Sequence, residues 1–140
     1  MNILHVIPDL SRASGGPVTA LYGMTQAQTK LGHHVAIAST DTGYEPDNTA
    51  KGAELSLFPS EFLRWRWSNR LARALPSLIG KADMVHLHMV WDYPVLAAAS
   101  LCQRAGKPYV LRPCGMLDAW SLSQRAWKKK LYLYFMGNKI

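Results

Sequence analysis

Three short stretches hold the residue types that could do chemistry. The first, SRASGGP (11–17), sets Gly15 and Gly16 directly before Pro17. A helix opening at Pro17 would present unpaired N–H groups and roughly half a positive charge at its start. Two residues without side chains let a phosphate or sugar oxygen approach that main chain, where a Cβ would collide. A plain tight turn accounts for the same pair, and the stretch has neither GxGxxG nor GK[ST] spacing. The second, VHLHMVWDYP (85–94), offers His86, His88 and Trp91. On a strand, a spacing of two places both imidazoles on one face, with His88 nearer the carboxyl end and able to reach a cleft. Three roles stay open for them: a metal pair, hydrogen bonding to bound sugar or phosphate, or a satisfied structural histidine. No cysteine or carboxylate motif joins the pair, and the structural role suits His86 better than His88. Trp91 either stacks on a sugar face or covers the core. The third, RPCGMLDAW (112–120), supplies Arg112 for a phosphate and Gly115 for close backbone approach. Asp118 either accepts a sugar hydroxyl or caps the turn before the last helix. Cys114 as a nucleophile is set aside, because nothing nearby in sequence would activate it.

The elements that position these stretches follow from hydrophobic period. Short apolar runs at 2–7, 34–40, 54–58, 84–88 and 108–112 read as strands. Ala20, Met24, Ala27 and Leu31 recur at helical spacing from Pro17 as N1 to Gly32 as C′. Trp67, Leu71, Leu75 and Ile79 mark a second helix, which Pro76 should kink or end early. A third spans 94–105, closed by Gly106. Ser121 with Gln124 fits a capping box, and Trp127, Leu131 and Tyr134 continue one face of a last helix. Strands alternating with helices predict an α/β fold, a Rossmann-like doubly wound parallel sheet in one domain over 1–140. Ligands of such sheets bind beyond the strands' carboxyl ends. The loops at 8–16, 41–53, 89–93 and 113–120 are therefore the ones that matter.

Composition narrows the partners. The chain has 140 residues, about half of them hydrophobic, enough for one real core. Its net charge is +7, and the excess is uneven. No acid follows Asp118, whereas Arg125, Lys128, Lys129, Lys130 and Lys139 do. Such clusters attract phosphate, anionic lipid or nucleic acid, or are simply solvated. No apolar run is long enough to span a bilayer. Met1 leads straight into a strand-like run without a secretory leader. Cys102 and Cys114 lack metal or redox spacing, which suggests reduced thiols in a cytoplasmic protein.

Taken together, MNILHVIPDLSRASGGP, KLGHHVAIAST, ADMVHLHMVWDYP and AGKPYVLRPCGMLDAWSLSQRAWKKKLYLY resemble the amino-terminal domain of family 4 glycosyltransferases. The resemblance implies the N-terminal, acceptor-side half of a GT-B fold in a retaining enzyme. A second domain, absent from this chain, would hold a nucleotide-diphosphate sugar. It implies no metal or other cofactor, and a glycan or lipid-linked acceptor. The family's glycine loop lies near the donor diphosphate, matching Gly15 and Gly16. Its cleft histidine often precedes the glycine of the last block; here Cys114 stands there, so a histidine-assisted step does not carry over. In the family the leaving phosphate itself takes the acceptor's proton, so no residue of this chain is assigned a catalytic role and the chain alone should be nearly inactive. WKKKLYLYF (127–135) and FLRWRW (62–67) would suit peripheral contact with an anionic membrane face. Burial of the terminal helix against the second domain is the competing explanation. Two rivals remain. An NAD-dependent oxidoreductase would want GxGxxG and an acid ending strand two, near Asp41. A non-enzymatic membrane or nucleic-acid module would draw on the charge and the Trp–Arg interleaving, but no nucleic-acid motif accompanies them.

Overall fold

A computed structural model describes residues 1–11, 14–41, 52–124 and 126–136. Five parallel strands form one sheet in the order β3-β2-β1-β4-β5. In chain order the elements are β1 (Asn2–Asp9), α1 (Gly16–Lys30), β2 (His34–Asp41), β3 (Glu54–Pro59), α2 (Asn69–Lys81), β4 (Met84–His88), α3 (Tyr93–Ala105), β5 (Tyr109–Arg112), α4 (Ala119–Ser123) and α5 (Ala126–Met136). The expected loop over 41–53 lies mostly outside the described residues.

Parity along β1 divides the core. Leu4 and Val6 face one side, where α2 and α3 bury Leu71, Leu75, Ile79, Val95 and Cys102 against Val85 and Leu87 of β4. Ile7 faces the other side, where α1 covers it and Ile37 with Val18, Leu21 and Tyr22. Period-two alternation thus sends helices to both faces, as a doubly wound sheet requires.

Several sequence expectations are corrected. β1 runs two residues further than its apolar run, to Asp9; Pro8 lacks an N–H, and the β1–β2 register slips between Ile7 and Asp9. Thr40 Oγ1 donates to the Pro8 carbonyl at 2.5 Å, holding that irregular end. On α1 the buried face is Val18, Leu21, Tyr22 and Thr25, while Leu31 is 75 % exposed. Two faces of this helix carry apolar residues at helical spacing; the one with larger side chains at its amino end won the sheet. α2 begins after Trp67, with Ser68 as its cap: Ser68 Oγ accepts from Leu71 N at 3.2 Å. It runs through Pro76 to Lys81, because Leu71, Leu75 and Ile79 hold it to the sheet. At the chain's end Ser121 does not cap a long helix. Asp118 Oδ1 accepts from Ser121 N at 2.6 Å and starts the short α4, which stops before α5.

The buried face of α1 is directly testable. Leu21→Ala should cost about 2–5 kcal/mol of unfolding free energy. Leu31→Ala should stay within about 0.5 kcal/mol. Urea titrations of the two variants read the difference; equal losses would reject this packing.

Candidate functional site

The carboxyl ends of β1, β4 and β5 meet at one rim, and the first loop there is built around a carboxylate. Asp9, the last residue of β1, is nearly fully buried. It accepts from Ser11 N at 2.8 Å, Ser11 Oγ at 2.7 Å and Ser14 Oγ at 2.8 Å. Arg66 Nη2, from the segment between β3 and α2, lies 3.2 Å from Asp9 Oδ2. Burial pulls this carboxyl's pKa up, but the bonds from Ser11 and Ser14 and the Arg66 charge outweigh it and hold it below the usual range. Asp9 thus shapes the loop that delivers Gly15. It was missed in sequence, although D-x-S at a strand's end is an Asx-turn signal.

Gly15 has φ 57 and ψ −125, a conformation that glycine adopts and other residues strongly resist. No side chain caps α1 there. Both Gly15 and Gly16 are exposed, and a Cβ at either would meet nothing within 4 Å. The turn is open, at the head of the helix that follows β1.

His88 does not reach solvent. It is fully buried, as is His5, while His86 is partly exposed. The reason is register: His5 pairs with His86 across β1–β4, so all three imidazoles share the α1 face. His5 Nε2 donates to Gln28 Oε1 of α1 at 2.8 Å, and His5 Nδ1 lies 2.9 Å from His88 Nε2. The His5 and His88 ring centroids are 5.2 Å apart with planes 23° from parallel. That is the spacing of two imidazoles joined end to end through an N–H···N bond. His86 lies over His88, centroids 4.3 Å apart. One nitrogen from each of the three falls within 4.8 Å of the others. The His5 and His88 nitrogens, however, face one another along their bond instead of converging on a third point, which is hydrogen-bond rather than chelate geometry. Sequence alone could not pair His5 with this cluster, because nothing in it specifies that β1 and β4 are neighbours.

Arg112 ends β5 opposite His88. Its Nη1 is buried without a hydrogen-bond partner, and so is His88 Nδ1. Beyond Arg112 the chain turns through left-handed Cys114 (φ 55) and Gly115 (φ 78). Cys114 Sγ donates to the Arg112 carbonyl at 3.4 Å. Gly115 is demanded by its φ; a Cβ there would meet Asp118 Oδ2 at an ordinary 3.7 Å. Asp118 serves as the cap of α4, the second of its two expected roles. Trp91 packs edge-on to Tyr132 of α5, with Lys129 Nζ 5.4 Å from its ring centre. Tyr132 Oη donates to the Val90 carbonyl at 3.1 Å, fastening α5 over the loop after β4. In that loop Asp92 precedes α3 without capping it through its side chain. Burial raises its pKa, Arg66 opposes, and Asp9 adds to the rise. Thus Gly15 and Gly16 sit at the β1 corner of the rim, and His88, Trp91, Arg112, Cys114, Gly115 and Asp118 at its β4–β5 side. A cavity of about 800 Å³ opens at the opposite rim beside Asn2, His34, Glu54 and Lys81. It is remote from all of these.

Strand order 3-2-1-4-5, every strand parallel and helices on both faces, is the Rossmann-like arrangement and the architecture of one half of a GT-B fold. Residues 15–138 match the family model described as a glycosyl transferase 4-like domain. The chain belongs to that family, which is one of transferases. No curated protein matches it.

The histidine row makes stability depend on pH. Burial is the main cause of the lowered pKa in both, opposed for His5 by the Gln28 bond; His5 falls to about 4 and His88 to about 2. Both imidazoles are then neutral when folded and protonated when unfolded below about 6.5. The unfolded state binds more protons there, so stability falls as pH drops from 6.5 toward 4. The His5 shift corresponds to about 3 kcal/mol lost by pH 4. Asp9 acts in the same direction below the ordinary carboxylate range. Urea midpoints measured from pH 7.5 to 4 should decline steeply, and His5→Asn should flatten the decline. A flat wild-type profile would reject the buried neutral pair.

Proposed function

We propose that this chain is the acceptor-side domain of a retaining glycosyltransferase that moves a hexosyl group from a nucleotide-diphosphate sugar to an acceptor hydroxyl. The acceptor belongs to polysaccharide or glycolipid synthesis, on the cytoplasmic side of the membrane. The observation that carries this reading is Gly16. Its φ is not in the left-handed region, and a Cβ there would touch nothing of the chain, so the fold itself does not require glycine at that position. Gly15 is needed by the backbone; Gly16 leaves room for something outside the chain. Beside an uncapped helix start, that something is a diphosphate or sugar oxygen. A second domain supplies the nucleotide site. The leaving phosphate accepts the acceptor's proton on the same face of the sugar, and positive potential fixed in place does most of the catalytic work. Neither metal nor other cofactor is required, and the chain by itself turns over little or no donor.

In the intact enzyme, Gly16→Val should lower kcat/KM for the nucleotide sugar at least about tenfold, a loss of about 1.4 kcal/mol of transition-state binding. The thermal midpoint should hardly move, since the position is exposed. Full activity in Gly16→Val would remove the support for this site.

A face of aromatic residues and lysines favours peripheral membrane contact. Trp120, Trp127 and Tyr134 are 74 %, 68 % and 80 % exposed, and Lys128 Nζ lies 5.4 Å from the Trp127 ring centre. None of the described helices is long and apolar enough to cross a membrane. Aromatics and lysines together suit the headgroup zone of an anionic bilayer. Flotation should recover the intact protein with phosphatidylglycerol vesicles and leave it behind with phosphatidylcholine alone. Recovery from neither would reject membrane contact for this face, and equal recovery from both would reject its dependence on anionic lipid.

A further inference from the structure

Two polar atoms at the rim are buried and unpartnered: His88 Nδ1 and Arg112 Nη1. Their residues are the last of β4 and β5 and stand opposite each other in register. Leaving such groups unsatisfied inside a protein is costly, so two of them at the paired ends of neighbouring strands ask for a ligand.

The hydrogen-bond chain beneath them settles which ligand. Gln28 Oε1 can only accept, so His5 Nε2 carries a proton. A neutral His5 then has a bare Nδ1, which must accept from His88 Nε2. A neutral His88 is left with a lone pair on Nδ1. Arg112 Nη1 can only donate. One acceptor beside one donor matches an O–H group, which gives its hydrogen to the imidazole and takes an N–H bond from the guanidinium. An ionised phosphodiester oxygen has no hydrogen to give and would face the lone pair. Three imidazoles beside a guanidinium also leave no carboxylate to favour protonating His88 for an anion's sake.

We propose that His88 Nδ1 and Arg112 Nη1 form a two-point subsite for a sugar hydroxyl, with Gln28 and His5 as positioning residues that lock His88 in its accepting tautomer. This rests on the glycosyltransferase reading above and specifies which group of a sugar is held. The subsite is closed to solvent in this structure, beneath the turns that begin at Met89 and Pro113. A sugar hydroxyl reaches these atoms only if the turns after β4 and β5, which leave the sheet through left-handed Met89 (φ 71) and Cys114 (φ 55), give way.

Histidine-selective nitrogen-15 labelling of the chain tests this. Two-bond proton–nitrogen correlations should show His88 Nδ1 without a proton and His5 Nε2 with one. Methyl hexopyranosides, added as a panel at millimolar concentration, should move the His88 Nδ1 resonance upfield for at least one member. Dimethyl phosphate, an anion with no O–H, should not at matched ionic strength. Gln28→Leu should mix the tautomers of both histidines and weaken the sugar-induced shift. A protonated His88 Nδ1 in the free chain would overturn the proposal. So would a shift with dimethyl phosphate alone, no response to any hexoside, or zinc ions displacing the His5–His88 bond. These failures leave the glycosyltransferase reading standing, because the Gly16 variant tests that separately. Conversely, a hexoside response alongside no turnover of any nucleotide sugar by the intact enzyme would sink that reading and spare the subsite.

Discussion

β1 has no free edge. It is paired in parallel with β2 on one side and β4 on the other, and every residue from Ile3 to Asp9 is buried. A strand so enclosed can take a polar side chain only if a partner is brought to it. His5 is therefore the constraint from which much else follows. It needs Gln28, which fixes the rotation of α1 about its axis. It also needs His88, which ties the ends of β1 and β4 together on the α1 face. Asp9 repeats the pattern one turn of the chain later, drawing Ser11, Ser14 and Arg66 inward. The rim is thus assembled by a buried polar line running the length of the central strand.

That line explains why the site's two halves differ in character. Near β1 the backbone itself is offered, through a left-handed glycine and a helix start free of side-chain caps. Near β4 and β5 side chains are offered, but held inside. The rim thus has one corner of bare backbone and one lined by side chains. Membership of the glycosyltransferase 4-like family gives this division of labour its chemical setting.

Fold class was legible in the sequence because period-two runs and period-3.6 runs alternate cleanly, and α3 with its Gly106 stop was placed within a residue. Errors cluster where two local signals compete. On α1, Ala20, Met24, Ala27 and Leu31 keep helical spacing, but so do Val18, Leu21, Tyr22 and Thr25; only the position of Ile7 and Ile37 decides between them. At the last helices, Ser121 and Asp118 are both good caps, and the earlier one prevailed. In the site, Gly15 and Arg112 could be singled out by type and by their place after a strand. His5 and Gln28 could not, because their roles exist only through long-range pairings between β1 and β4 and between β1 and α1. His88 was assigned to the rim on strand position alone, and the depth at which β4 ends beneath Met89 and Val90 was invisible.

Arg66 has φ 54, an awkward posture for a long side chain, and reaches back to Asp9 from a segment far along the chain. Trp65 and Trp67 flank it, and Tyr93 N donates to the Trp65 carbonyl at 3.1 Å. The Asp9 corner is thus braced by a remote stretch that meets the strands through Ser60 N on the Asp41 carbonyl and through Arg66 on Asp9. Sequence change in that stretch can alter the rim beside Asp9 while the five strands stay as they are.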